Sequence, residues 1–255
     1  MRNKMLVTIL GFIKPLFTKG ASVVWENRKY LKLFFITKYG SYRNKEIRFS
    51  ISGLYKIQIP NTNNYLLVLN RRIQGQLQPV GGVYKRYGDD SLFNKWLYKP
   101  DNLKNGLDVD EKSNFDLRFI VNGKNVMDVI NWYESGKERE TDPKREFIEE
   151  LIDTNILDSK IFGNIHHKHI RRFSKNLSWS EFFNCHEILI YDIFEFIPNE
   201  DQKKALTELS LQKNDLSKGY AIVTCDDIEQ SRLLQNGHQI SRIGQHTKLL
   251  INKIF

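Results

Sequence analysis

The chain reads as an α/β (α+β) sandwich, a mixed β-sheet flanked by helices. Three observations predict it. Segments of period-two alternation crowd residues 46–85, around the dipeptide Gly81-Gly82. A compact amphipathic helix follows at 142–153, and one of its edges carries three glutamates. Strand patterns then resume, with a long apolar run at 187–197. Strands and helices interleaved in this way bury themselves as layers around a common core.

The elements follow in order. Residues 1–45 form an apolar and basic N-terminal segment, and 46–255 form the main domain. Within the first, the apolar run 5–17 stands behind Arg2 and Lys4. A spanning helix needs about 20 apolar residues; this run is shorter and is broken by Lys14 and Pro15. A helix docked on the body of the protein, a helix on a membrane surface and a cleaved signal all remain open, although no A-x-A-like site follows. The second run, 30–37, is too short to span anything. Residues 46–52 and 55–60 alternate as strands, 61–64 (Asn-Thr-Asn-Asn) is a turn, and 65–70 reads as a buried strand. A turn at 71–75 leads to a strand at 77–85 that contains the Gly-Gly pair. Residues 86–114, rich in Asp, Asn, Gly and Lys, look like an insertion. A strand at 115–121, a turn at Asn122-Gly123 and helical spacing over 125–133 precede the acidic helix. Beyond it come the strand 187–197, a helix or loop at 200–211, a short strand at 219–224, and a helix beginning at 226 with Ile228, Leu233 and Leu234 inward. The spacing predicts a last helix over 240–254.

The apolar fraction of 40% suffices for a substantial core, and a net charge of +9 favours polyanionic partners: nucleotides, nucleic acid or an anionic surface. No RNP-like or helix-turn-helix signature supports nucleic-acid binding. Cys185 and Cys225 form no metal motif and read as reduced thiols of a cytoplasmic protein, one that membrane contact through 1–45 would bring to a membrane.

The stretch Arg145-Glu-Phe-Ile-Glu-Glu-Leu-Ile-Asp153 is the most informative. Asp142 is a suitable N-cap and Pro143 suits the first helical position. Phe147/Leu151 and Ile148/Ile152 are apolar i, i+4 pairs. On an α-helix Glu146 lies beside both Glu149 and Glu150, and Arg145 reaches Glu149 at i+4. Clustered carboxylates repel one another, and a hard divalent cation removes that repulsion because it prefers oxygen ligands and bridges to phosphates. A solvated acidic face is the competing reading.

Here the chain resembles a known family. Arg145-Glu-Phe-Ile-Glu-Glu150 looks like the core of the Nudix box, and Gln78-Pro-Val-Gly-Gly-Val-Tyr84 resembles the turn where that box begins. Between Gly82 and Arg145 lie 62 residues, far more than in ordinary Nudix hydrolases. Ile152 stands at the box glycine, Asp153 at the next apolar position, and Glu138 and Glu140 lie too close to the helix to be the usual upstream glutamate. Together with Phe115-Asp-Leu-Arg-Phe119, Trp132-Tyr133 and Arg139-Glu140, the layout is similar to the SMODS-associated NUDIX domain of bacterial CBASS-type antiphage systems, which occurs beside cyclic-oligonucleotide synthases. The resemblance implies a Nudix-like α/β/α sandwich with Mg²⁺ (or Mn²⁺) as cofactor. It implies Glu149 and Glu150 as metal ligands, Glu146 as a third ligand or as the base that deprotonates water, and Arg145 as their orienting partner.

Other residues carry weaker signals. Gly81 and Gly82 would let the backbone approach a metal or phosphate, or make an ordinary bulge. Arg71 and Arg72 either reach phosphate or sit exposed in a turn. The segment Ile165-His-His-Lys-His-Ile-Arg171-Arg172 reads as a basic surface loop, as a phosphate-contacting strand or loop with Arg171 and Arg172 as donors, or as a zinc site, which its spacing fits poorly. Asp226, Asp227 and Glu229 suit helix capping, and Trp96, Trp132 and Trp179 are expected in the core. Two functions remain. One is metal-dependent hydrolysis of a nucleoside diphosphate derivative in antiphage defence. The other is a catalytically reduced module that senses a nucleotide such as a cyclic oligonucleotide.

Overall fold

In the computed structural model, residues 30–101 and 115–254 are described. The apolar run 5–17 and much of the insertion lie outside them. The run 30–37 becomes helix α1 (Leu31–Lys38), and among the described residues no helix is long and apolar enough to cross a membrane.

Alternation from Glu46 onward produces one long strand, β1 (Glu46–Lys56), rather than two. It is followed by β2 (Asn64–Leu69), β3 (Gln76–Pro79), β4 (Gly81–Val83), α2 (Ser91–Lys95), β5 (Lys99–Pro100), β6 (Arg118–Asn122) and α3 (Val126–Ser135). The acidic helix α4 (Lys144–Phe147) and α5 (Ser159–Phe162) lead to β7 (His166–Ser180) and β8 (Cys185–Ile197). Then come α6 (Glu200–Leu211), β9 (Tyr220–Thr224), α7 (Cys225–Gln230), β10 (Arg232–Gln235) and β11 (His238–Ile243).

Two mixed sheets result. The first runs β5-β6-β1-β8-β7, with β4 also paired to β1; the second runs β10-β11-β3-β2-β9. β1 lies parallel to β8, from Ile47↔His186 to Lys56↔Glu195. Pairing on both edges buries β1 almost throughout. Ile47, Phe49 and Ile51 enter the main core with Val129, Tyr133, Phe147 and Leu151. Because successive side chains alternate, Arg48, Ser50 and Ser52 line the opposite face. Leu54 and Ile193 join a second cluster with Leu67, Leu77, Val223 and Leu249, between the sheets.

The predicted strand 77–85 is in fact two strands in different sheets. β3 pairs with β2 and β11, and β4 pairs with β1. The chain changes sheets at Gly81, whose φ is +137°, and a Cβ there would collide with the Gly53 carbonyl. Only glycine fits this crossing.

Several other expectations change. The His-rich stretch is not a loop but the start of β7, the edge strand, paired antiparallel to β8. The predicted final helix is replaced by β11, which pairs with β10 and β3, and by a 3₁₀ turn over Gln245–Ile251. Leu234 alternates outward on β10 and is exposed. Trp179 lies exposed near the β7–β8 turn, whereas Trp96 is buried. Helix α7 is capped by a reciprocal Thr224/Asp227 box, and α6 by Asn199/Gln202.

Candidate functional site

The acidic segment begins one residue later than its sequence suggests. Asp142 stands one residue before the N-cap position, Pro143, and its side chain still accepts the first-turn Lys144 N–H at 2.9 Å. After one α-turn the backbone widens into a π-helix over Ile148–Ile152, with Asp153 N–H donating to Ile148 O at 2.9 Å. Such turns recur at functional sites because they re-aim side chains. Glu146, on the α-turn, and Glu150, on the widened turn, both meet Gly81-Gly82, and Glu149 is the most exposed of the three glutamates.

Glu150 is buried, with 6% exposure. It accepts the Gly81 N–H at 2.9 Å and the Gln78 amide at 3.3 Å. Burial, with the nearby charge of Glu146, pushes its carboxyl up to about 8, against the opposing pull of Gly81, Arg71 and Gln78. Burial also raises Glu146, with the charges of Glu149 and Asp116, while Arg145 opposes them. Gly82 is the floor under Glu146: a Cβ there would overlap the carboxylate.

Arg145 ties the acids together. It donates to Glu140 at 2.7 and 3.2 Å and to the Val83 carbonyl at 3.2 Å, and pairs with Glu146 at 2.8 Å and Glu149 at 3.3 Å. Burial acts to lower its pKa, but the bonds to Glu140 and the surrounding carboxylates raise it overall. Glu140, given no role from its sequence position, also accepts the Lys85 N–H at 2.8 Å. It therefore joins the strand after the Gly-Gly turn to the helix. The signal was an acid five residues before an arginine, a spacing that local helical rules do not reward.

These groups open onto a cleft of ≈ 440 Å³. The cleft brings together Gly81, Gly82, Arg71, Arg145, Glu146, Glu149 and Glu150 of the predicted residues. It adds residues that sequence reasoning passed over: Lys85, Asp116, Arg118, Tyr191 and His246. Arg71 donates to the Glu149 carbonyl at 2.5 Å and so braces the π-turn. Asp116 pairs with Arg118 at 2.5 Å, and burial raises its carboxyl against that arginine's pull.

Arg171 and Arg172 are not brought here. Arg171 donates to the Leu249 carbonyl. Arg172 grips Asp192 at 2.6 and 3.0 Å and Glu134 at 2.8 Å, in a network that includes the Tyr133 hydroxyl. Both arginines point into structural bonds because β7 pairs along β8, a long-range pairing that local sequence does not specify.

Carboxylate oxygens suit a hard divalent cation. Among the described residues, however, no three His, Cys, Asp or Glu side chains form a ready-made metal cage. Arg145 pairs with both Glu146 and Glu149.

A family model described as the SMODS-associated NUDIX domain matches residues 46–251. The chain belongs to this family. No curated protein and no solved structure matches the chain. Nudix domains generally use divalent metals. In this Nudix domain the Gly-Gly turn and the acidic helix, 62 residues apart, nevertheless face each other as one site.

Proposed function

We propose that this chain is a metal-dependent hydrolase of a phosphoanhydride bond in a nucleoside diphosphate derivative, acting in antiphage defence. The observation that carries the reading is the juxtaposition of Glu146 and Glu150 with the Gly81-Gly82 backbone, in a cleft that also holds Arg71, Lys85 and Arg118. Burial costs two carboxylates free energy and raises both, and the charge of Glu146 raises Glu150 further, so the arrangement has a purpose beyond stability. Glu146, Glu149 and Glu150 would hold Mg²⁺ or Mn²⁺. Such a cation, once bound, supplies charge neutralisation at phosphate oxygens and an acidified water. Arg145 orients the carboxylates and keeps them from repelling one another until the site fills. The cations would neutralise phosphate oxygens.

A second reading has a specific observation in its favour. Arg145 already neutralises Glu146 and Glu149, and Ile152 and Asp153 stand where the family's box has a glycine and an apolar residue. A module that binds a nucleotide, such as a cyclic oligonucleotide, without cleaving it would keep the cleft and the cations.

Product analysis by chromatography with mass detection separates the two. The protein is incubated with Mg²⁺ or Mn²⁺ and a panel of nucleoside triphosphates, dinucleotides, ADP-ribose, NAD and cyclic oligonucleotides. Turnover that disappears in Glu149→Gln/Glu150→Gln supports the hydrolase. A cyclic oligonucleotide recovered bound and intact, with no turnover of any compound, supports the sensor and removes the hydrolase.

A further inference from the structure

The chain's net positive charge does not lie in the domain that holds the cleft. Residues 1–45 carry ten cations and one carboxylate, a net of +9 that equals the whole chain's, while residues 46–255 carry 29 charges of each sign. The cleft's own cations, such as Arg71, Lys85 and Arg118, all belong to the neutral part. A block of one sign gathers polyanions. The described part of that block, residues 30–45, holds Lys32, Lys38, Arg43 and Lys45 and no carboxylate.

Exposed rings are interleaved with these cations. Helix α1 buries Leu33 and packs Phe34 and Ile36 against the main core. Its outward stripe is Lys32, Phe35 and Tyr39, with Phe35 53% and Tyr39 70% exposed. Residues three and four apart are neighbours on a helix surface. In the loop after α1, the Lys45 ammonium stands 4.8 Å over the Tyr42 ring. Tyr42 packs edge-on against His186 at 4.9 Å, and His186 packs edge-on against Trp179, also at 4.9 Å. Trp179 is itself 52% exposed. The loop therefore ties α1 to the open end of the β7–β8 hairpin. A helix that lies in a bilayer surface keeps its apolar face apart from its charges. On α1 the outward rings alternate with cations instead. That alternation suits a single-stranded nucleic acid, whose bases stack on rings while cations neutralise its phosphates.

We propose that α1, the loop to Lys45 and the Trp179 end of β7 form a binding surface for single-stranded nucleic acid, separate from the cleft. The inference does not depend on the phosphoanhydride reading. Fluorescence anisotropy of the full chain with a labelled oligo(dT) tests it. Affinity should fall as salt rises, and Lys32→Ala/Lys38→Ala/Lys45→Ala should flatten the log–log salt slope by about 2. Tyr39→Ala and Trp179→Ala should each weaken binding at least about fivefold, the lower end of a base–aromatic stack, while Tyr39→Phe should retain it. Tyr39→Ala, at the most exposed of these rings, keeps the test decisive if Trp179→Ala does not fold. Excess α,β-methylene-ADP should leave the bound strand in place. No binding at low salt, displacement by α,β-methylene-ADP, or wild-type affinity in Tyr39→Ala and in folded Trp179→Ala would overturn the surface. Co-sedimentation with phosphatidylserine-containing vesicles, lost in the same variants while oligo(dT) stays unbound, would also overturn it and give the face to a membrane.

Discussion

Replacing Glu150 by glutamine should stabilise the metal-free protein at alkaline pH, and the gain should vanish in acid. The side chain is 6% exposed, and its carboxyl is pushed up to about 8 from an ordinary 4.5. Between those values the folded state keeps a proton that the unfolded state releases. Wild-type stability therefore declines as pH rises through the window, and the contribution is lost above about 8. The ceiling on that loss is roughly 5 kcal/mol, and local relaxation around an ionised carboxylate should reduce it to roughly 2–3 kcal/mol. Glutamine does not titrate, and its amide oxygen can still accept the Gly81 N–H. The expected outcome is a melting temperature near the wild type's at pH 5 and about 5–10 °C higher at pH 9 in EDTA, at about 2–4 °C per kcal/mol for a domain of this size. Adding 10 mM Mg²⁺ at pH 8 should raise the wild type but not the variant, by roughly 1.4 kcal/mol for a site of about 1 mM affinity. Scanning fluorimetry across pH in EDTA and in Mg²⁺ gives both numbers. Because other titrating groups cancel in the difference between the proteins, a pH-independent difference, or a variant less stable at pH 9, would refute the reasoning.

Further outcomes follow from the same geometry. Gly82→Ala drives a methyl into the Glu146 carboxylate; it should cost about 1–3 kcal/mol and weaken Mg²⁺ binding at least about tenfold by calorimetry, and unchanged Mg²⁺ affinity in a folded variant would contradict this packing. Glu140→Gln removes the main partner of Arg145, and denaturant titration should show a loss of roughly 2–3 kcal/mol, below the 3–5 of a fully buried pair because Glu146 and Glu149 remain. Arg172→Ala leaves Asp192 nearly enclosed with Tyr133 and His169 as its remaining side-chain partners among the described residues; about 3 kcal/mol of stability should go, with nucleotide affinity at the cleft unmoved. Any fall in affinity in that folded variant would return β7 to the site.

The elements that local chemistry controls were legible in the sequence. Period-two alternation, the Asn-rich turn at 61–64 and the helical spacing before Tyr133 each depend on near neighbours, and the corresponding elements form there. The same holds for the Arg145–Glu150 hexapeptide, whose three glutamates reach one cleft. Where a segment's fate depends on a distant partner, local pattern was insufficient. Residues 240–243 have helical spacing but are captured as a strand by β10 and β3. The cations 171 and 172 look like ligand donors in a linear string, yet β8 turns them toward Leu249, Asp192 and Glu134.

Taken alone, the sequence determined the fold class, the Gly-Gly turn and the carboxylate cluster, because residue type and near-neighbour spacing encode them. Tertiary structure decided which groups meet. It carried the Gly-Gly turn across 62 intervening residues to Glu146 and Glu150 and widened the helix after Phe147 into the π-turn that bears Glu150. It also set Glu140 on Arg145 and stacked Tyr191 against His246 at the far end of the cleft. Pairing of β1 with β4 and β8 fixes these distances, and no short window of sequence contains that information.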